Sequence, residues 1–410
     1  MTRTHKKRSE GTPFLNAVTL LYVAYIPFDI LPVAFGRTLT APLAILLIFT
    51  WILSQLRRPE KVNFPRSAGI LLFLYCFWGI CTIFWSADTG TSLLAVQTIL
   101  LQAPVVVILS NTLRQVWLPS LVTLGCSTGV LALVALSRPP VAIRAGRANV
   151  GGIDENVTAM ILAAGFAALV YLGINLAGRR AALFVPLAVV TGAATLHTGS
   201  RTGAVAAVAA LGVGVLPSIW RGRRRPATWF WAAGVMALIS YASFSTAVKF
   251  GSLAPRIKAL LSQRAAYQDT SRSEIIDLFL RTFDHWALIG VGIGNDANYA
   301  YASEMVFVNA HSLFWKTWIE TGLIGLMILT AFLLVVVRQG FRSVASQALF
   351  LMAIPLVIFA YTLGGAQTSV FWFVIALALT QDPEQARPRK AAQPQTHVDL
   401  LPQAANNWDG

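Results

Sequence analysis

The chain of 410 residues is 56% hydrophobic and only 12% charged, and its mean hydropathy is +0.64. Soluble domains seldom combine so few charges with so many apolar residues, so the composition excludes an ordinary soluble domain and predicts an all-α, polytopic integral membrane protein. Basic loops beside anionic lipid headgroups account for the formal net charge of +15, and no nucleic-acid partner is indicated.

Hydrophobic stretches recur from residue 14 to residue 380. Crossing the bilayer takes about 20 apolar residues, and by that measure we count about twelve spans. They are 14–36, 39–56, 67–86, 90–110, 115–137, 156–177, 181–199, 202–220, 227–246, 313–337, 345–364 and 366–380. We interpret the first as a retained helix, because Asp29 and Pro32 interrupt it and no clear small-residue cleavage site follows. Residues 1–380 are therefore predicted to form a single transmembrane domain.

The Lys and Arg residues of the short loops predict the orientation. With twelve spans, the basic loops fall on the side of the N terminus, which the positive-inside rule makes the cytoplasm. Residues 381–410 are rich in Gln, Pro, Ala and Asn, which cannot bury a core, and are predicted to be a disordered cytoplasmic tail. Both termini are then cytoplasmic, and residues 247–312 form one long loop on the outer side.

Three groups of cations break the rule by lying on that outer side. They are Arg138, Arg144 and Arg147 after the fifth span, His197 and Arg201 between spans seven and eight, and Lys249, Arg256, Lys258, Arg264, Arg272, Arg281, His285 and His311 in the long loop. Single arginines could pair with nearby carboxylates or lipid phosphates. Three groups together favour a resident anion, since planar guanidinium groups at several helix ends suit a diphosphate better than scattered carboxylates do.

Helical geometry orders the cations of the long loop. If 271–286 is one interfacial helix, Arg272 shares a buried face with Ile276, Phe279 and Phe283. Arg281 is rotated by roughly 180° from Arg272 and is predicted to face water. Arg272 is therefore the better candidate for an anion site.

The tenth span begins beside His311. On its helical wheel, Trp315, Trp318, Gly322 and Gly325 share the face of His311, and Glu320 lies opposite. Two indoles next to a histidine could stack against a sugar ring. We interpret Glu320 as a structural carboxylate bonded to a neighbouring helix, because a lone carboxylate in the membrane is unfavourable.

The run Gly290-Val291-Gly292-Ile293-Gly294 resembles part of a dinucleotide-binding loop. It lacks the strand-turn-helix context and the third glycine at the right spacing. We predict a tight turn at the membrane surface instead.

The ordered motifs resemble those of the O-antigen ligase and O-antigen polymerase superfamily of bacterial envelope glycosyltransferases. The resemblance covers about residues 140–330. The matching elements are Arg147 with Asp154-Glu155-Asn156, Ser200-Arg201-Thr202-Gly203, Arg272 with Gly290 to Asn295, and His311 with Glu320 to Gly325.

This resemblance implies transfer of a glycan from undecaprenyl diphosphate to an acceptor hydroxyl at the periplasmic face of the inner membrane. The acceptor is a lipid A core or a growing polysaccharide, and no cofactor is implied. Arg147, Arg201 and Arg272 would bind the diphosphate, and His311 would be the general base. Asn156, Trp315 and Trp318 are candidate sugar or acceptor contacts. The outer carboxylates form no cluster at ligand spacing, so no metal site is predicted and the transfer is expected to be metal-independent.

A transporter or flippase for an anionic glycan or lipid-linked substrate is the competing prediction. About twelve spans and an outer cationic cavity also suit that class. The sequence shows no matching pair of broken helices in its two halves, which such carriers often contain. It does not distinguish ligation, polymerisation and protein glycosylation, because the three use the same donor.

Overall fold

The computed structural model describes residues 13–29, 38–137, 155–176, 179–198, 200–220, 276–277, 279–304, 310, 312–362 and 368–381. Within these ranges the chain forms helices and no β-strand, and an isolated β-bridge joins Ser343 and Gln381. The all-α prediction is confirmed for this part of the chain. The predicted tail beyond residue 381 lies outside the described residues.

The helices are, in chain order, α1 (Pro13–Tyr25), α2 (Thr40–Arg57), α3 (Arg66–Thr82), α4 (Thr89–Ser137), α5 (Glu155–Asn175), α6 (Arg179–His197), α7 (Arg201–Trp220), α8 (Phe283–Trp286), α9 (Asp296–Glu304), α10 (Leu313–Gly340), α11 (Ser346–Thr362) and α12 (Ser369–Leu379). Short 3-10 turns extend α1 over Ile26–Phe28 and α3 over Ile83–Trp85.

The chain is a multi-pass membrane protein by the length and composition of its helices. Five helices among the described residues are long and apolar enough to cross a membrane, namely α2, α3 with its extension, α4, α5 and α10. The predicted spans 90–110 and 115–137 both lie in α4, which departs from helical geometry at Val116 (φ −123°, ψ 20°). Span 227–246 lies outside the described residues, and the count of twelve stays a prediction.

Helix α5 is the centre of one half of the molecule, packed against α4, α6, α7 and α11. Small residues let these helices approach closely, as is common where helices associate in membranes. A Cβ at Gly125 of α4 would lie 2.7 Å from Leu169 Cδ2, and one at Gly214 of α7 would lie 2.9 Å from Val170 Cγ1. These contacts hold the C-terminal half of α5, the helix whose first turn contains Asn156.

A half-buried carboxylate joins the start of the chain to its last helix. Asp29 Oδ2 accepts hydrogen bonds from the Ser369 peptide N–H (3.3 Å) and hydroxyl (2.8 Å) at the first residue of α12. Asp29 Oδ1 accepts from the hydroxyls of Thr38 (3.1 Å) and Thr40. An acid that would be unfavourable alone in apolar surroundings is thus fully bonded and ties together the ends of α1, α2 and α12.

The other half of the molecule is organised around α10. This helix packs against α3, α11 and α12, and the short helices α8 and α9 pack against it. Residues 283–304 therefore lie beside α10, next to the position of His311 in the chain.

Candidate functional site

Two of the motifs in the sequence are in contact. The Ser200 hydroxyl donates to Asn156 Oδ1 (2.8 Å) and accepts from the Gly203 peptide N–H (3.2 Å). Ser200 therefore caps α7, whose first residue is Arg201, and binds that cap to the first turn of α5. Gly203 permits the approach, since a Cβ there would lie 2.8 Å from Ala159 Cβ.

A break in α10 is the main irregularity among the described helices. Gly322 has φ 68° and ψ −176°, in the middle of an otherwise helical segment of 28 residues. The Leu323 N–H, which in a regular helix would donate four residues back, donates instead to Ala287 O (2.9 Å) in the neighbouring loop. The helix is thus divided into two parts at the Glu-x-Gly-x-x-Gly motif.

The carbonyl groups freed by this break accept hydrogen bonds from other parts of the chain. Each donor lies outside α10 in the sequence. Ile319 O accepts from Val291 N (2.9 Å), Glu320 O from Gly292 N (3.0 Å), and Thr321 O from Trp78 Nε1 (2.7 Å). Such replacement partners are what a break in apolar surroundings requires.

Two glycines make this contact possible. Gly290 has φ 78°, and a Cβ there would lie 2.5 Å from Gly322 N. A Cβ at Gly322 would in turn lie 2.5 Å from Ile289 N. The predicted tight turn at Gly290–Gly294 is confirmed, and its location at the membrane surface stays a prediction. Gly290 approaches α10, whereas Gly292 lies against Ser86 and Gly294 against Ala95.

The opposite side of this turn is held by a buried amide that the sequence analysis missed. Asn295 is completely buried, and its Nδ2 donates to Ser86 Oγ (2.7 Å), Ser92 Oγ (2.7 Å) and Asp88 O (3.0 Å). Asp88, whose peptide oxygen accepts one of these bonds, is exposed and lies just before α4. A hydrogen bond from the Thr91 hydroxyl, and then one from the Gly90 N–H, lowers the pKa of its carboxyl. The glycine turn is therefore fixed between the α3–α4 link and α10.

A buried ion cluster lies beneath the same turn. Lys316 Nζ is 2.7 Å from Asp296 Oδ1 and 2.9 Å from Glu320 Oε1. Asp296 Oδ2 also accepts from the Ala310 peptide N–H (2.9 Å). Glu320 is buried and paired as predicted for a structural carboxylate, but its ionic partner is Lys316 on its own helix rather than a neighbouring helix.

The sequence analysis did not select Asp296 or Lys316. One signal was present, which is a lysine at the start of an apolar span, where an unpaired cation is unfavourable. The carboxylate that pairs with it is not evident from the sequence, because Asp296 comes 20 residues earlier.

A cleft of about 550 Å³, including its open mouth, lies beside this cluster. Helices α3, α4, α10 and α12 form its walls, and most of the lining is apolar. The polar lining comes from Tyr75, Thr98, Lys316, Thr317 and Glu320. The ion cluster thus borders an open cleft rather than a sealed core.

The two tryptophans proposed for sugar contact lie in an aromatic cluster. Trp315 and Trp318 stack with ring centroids 5.6 Å apart and an interplanar angle of 21°. Trp318 also meets Phe283 and Trp286 edge to face, and its Nε1 donates to Ala287 O (2.9 Å). Trp318 is therefore committed to holding α8 against α10, and sugar contact by either indole stays a prediction.

The predicted interfacial helix is only partly correct. Arg281 is exposed, with 67% of its side chain accessible, and pairs with Asp277 (2.5 Å), so the prediction that it faces water is confirmed. Phe279 is buried, but Ile276 is exposed, contrary to the wheel. The backbone is also interrupted at Thr282 (φ −109°, ψ 20°), so the described part of 271–286 is not one continuous helix.

The side chains of the principal cationic candidates are not among those that the structure describes. Arg147, Arg272 and His311 are not among the described residues, and of Arg201 only the backbone is described. The structure does describe the neighbours of His311 in the chain, Ala310 and Ser312. Of the rival histidines, His197 ends α6 and is half-buried, and His285 is exposed on α8.

We predict that Gly322→Ala destabilises the protein and lowers its activity. An alanine would be strained at φ 68° and would collide with the turn at Ile289, and a strained residue alone costs about 1–3 kcal/mol. Thermal unfolding of the purified protein in detergent measures the effect. Gly212→Ala is the matched control, since nothing lies within 4 Å of its Cβ position in α7, and helix propensity makes that change neutral or slightly stabilising. Equal melting temperatures for the two variants would refute this account of the break.

Comparison with known proteins finds one family that part of this chain matches. Residues 186–330 match the family model described as O-antigen ligase. No curated protein matches the chain. The matched segment contains the Ser200 cap, the glycine turn and the α10 break, while Arg147 and Asn156 precede it.

Proposed function

We propose that this chain is a glycosyltransferase of the O-antigen ligase and O-antigen polymerase superfamily that acts on undecaprenyl-diphosphate-linked glycans. The match of residues 186–330 to the O-antigen ligase family model supports this proposal. It moves the glycan to an acceptor hydroxyl of a lipid A core or a growing polysaccharide. The reaction takes place at the periplasmic face of the bacterial inner membrane, in a chain of twelve spans with both termini in the cytoplasm and residues 247–312 in the periplasm. The family match carries this proposal, because it covers Arg201, Arg272 and His311 in one segment.

The arginines serve the leaving group in this mechanism. The acceptor oxygen attacks the anomeric carbon, the bond from that carbon to the phosphate oxygen breaks, and negative charge develops on the departing diphosphate. Arg201, Arg272 and Arg147 hold the diphosphate through paired N–H donors. The position of Arg201 supports this role, since the first residue of a helix adjoins free peptide N–H groups and the positive end of the helix dipole.

His311 removes the proton from the acceptor hydroxyl as that oxygen attacks. A neutral imidazole with an ordinary pKa of about 6.5 is suited to this step near neutral pH. Direct displacement inverts the anomeric centre. The arginines supply the charge stabilisation that a metal ion provides in other transferases, so the proposed reaction needs neither a metal ion nor a cofactor.

The α10 break bears on the alternative of a transporter. Ion-coupled carriers use the carbonyl groups of broken helices to coordinate their ions. Here the carbonyl groups of Ile319, Glu320 and Thr321 accept hydrogen bonds from the turn and from Trp78. The break therefore fits a rigid joint better than an ion-binding site. This favours the transferase over the transporter.

Purified protein should form covalent product from lipid-diphosphate glycan and a lipid A core acceptor or a second lipid-linked glycan in detergent, with no ion gradient. Gel mobility and mass spectrometry of the product report the transfer. Product should also form in EDTA. Movement of intact donor across vesicles without covalent product would support the transporter, and loss of turnover in EDTA restored by magnesium or manganese would contradict metal independence.

Lysine should not replace the diphosphate-binding arginines. We expect Arg201→Lys and Arg272→Lys each to lose about tenfold or more in transfer rate, because an ammonium cannot donate two parallel N–H bonds to a phosphate. Arg281→Lys is the matched control, since Arg281 is exposed and paired with Asp277, and it should retain activity. Initial rates at saturating acceptor measure the effect. Equal tolerance of lysine at all three positions would exclude this assignment of the arginines.

Removal of the His311 imidazole should lower the turnover rate without weakening donor binding. We expect His311→Ala to lower the turnover rate by about 10²-fold or more with donor affinity nearly unchanged. His197→Ala and His285→Ala should lose less. The wild-type rate should fall as the pH is lowered through about 6.5, because the protonated imidazole no longer accepts a proton. Turnover and donor binding are measured separately, and a His311→Ala protein that fails only because donor does not bind would show that His311 is a ligand and not the base.

A further inference from the structure

Asp296 contacts the chain on both sides of position 311. Its carboxylate is buried, with the residue 1% exposed, and its two oxygens have different partners. Oδ2 accepts from the Ala310 peptide N–H (2.9 Å), one residue before position 311. Oδ1 accepts from Lys316 Nζ (2.7 Å), five residues after it. A single side chain thus fixes the approach to α10 and the first turns of the helix itself.

Lys316 is itself firmly held. Its peptide N–H donates to Ser312 O (2.8 Å) in the first turn of α10, and its ammonium group is also 2.9 Å from Glu320 Oε1. The peptide oxygen of Glu320 accepts from Gly292 N in the glycine turn. The cation therefore joins Asp296 to the part of α10 that the turn already fixes.

The charge of this cluster argues against a second role as an anion site. Lys316 has two carboxylates against one ammonium, so the cluster has a formal charge of −1 and opposes a phosphate. A buried ammonium group that already pairs with two carboxylates is also a poor ligand for a further anion. The cluster is suited to holding backbone in place.

We propose that Asp296 is a positioning residue for the base at position 311, acting through the Ala310 peptide N–H and held in place by Lys316. This inference rests on the proposed function, in which His311 is the base. A general base must be placed accurately, since a displacement of about 1 Å costs about 10²-fold in rate. Asp296 follows the glycine turn directly, so it transmits the position of that turn to the chain before His311.

The test is a double-mutant cycle of Asp296→Asn and His311→Ala, with Asp284→Asn as the control at an exposed carboxyl on α8. Asparagine keeps the volume of aspartate but turns an NH₂ donor toward either the Ala310 N–H or the Lys316 ammonium, which breaks one side of the bridge. We expect Asp296→Asn alone to lower turnover by about 10- to 100-fold with donor affinity changed by less than about threefold. In the His311→Ala background it should change turnover by less than about twofold, because the group that it positions is gone.

Each other outcome has a distinct meaning. Additive losses in the cycle would show that Asp296 does not act through His311. If Asp296→Asn turns over normally while His311→Ala is inactive, this inference is overturned but the base assignment is kept. Normal turnover in His311→Ala would overturn the base assignment and this inference with it. If Asp296→Asn does not give monodisperse protein, Lys316→Gln, whose amide still donates to Asp296 but lacks the charge, is taken through the same cycle. A loss that vanishes in the His311→Ala background supports the proposal, and an additive loss overturns it.

Discussion

The insertion of the glycine turn into the broken helix α10 is the interaction on which the rest of the site depends. A break in a membrane helix frees peptide groups that apolar surroundings cannot satisfy, and each unpaired group is strongly unfavourable. Here the N–H groups of Val291 and Gly292 and the indole of Trp78 donate hydrogen bonds to the carbonyl groups that the break frees. Because the turn needs the break for its own hydrogen bonds, neither is stable without the other.

This joint also unites segments that are distant in the chain. The indole of Trp85 donates to Ile289 O and Gly290 O, Ser92 donates to Ile293 O (2.7 Å), and Ala87 N donates to Val291 O. The α3–α4 link, the glycine turn and α10 are thus joined by hydrogen bonds from both side chains and backbone. A change in any one of them is transmitted to the other two, so the turn acts as a rigid part of the scaffold.

The sequence predicts those features that depend on local patterns. Hydrophobic length predicts α2, α5 and α10, and local amphipathicity predicts the exposed Arg281. The prediction fails for Ile276, which is exposed although the wheel places it on the buried face. The kink at Val116 in α4, by contrast, lies close to the predicted boundary between spans 90–110 and 115–137. The bonds of Asn295 to Ser86 and of Asp296 to Lys316 were not predicted because these partners lie 209 and 20 residues apart, and no local pattern reports such pairs. The ordered motifs did predict the family, since they combine residue type with order along the chain.

The bonds between Asp29 and Ser369 have a consequence for biosynthesis. Their residues are 340 positions apart, so the acceptor is made long before its donor. At a synthesis rate of about 5–20 residues per second, the carboxylate waits roughly 20 to 70 s for α12. During that interval the ends of α1 and α2 lack their partner in the last helix. In a chain released before residue 369, Asp29 therefore keeps its bonds to Thr38 and Thr40 but its Oδ2 lacks the two donors of Ser369.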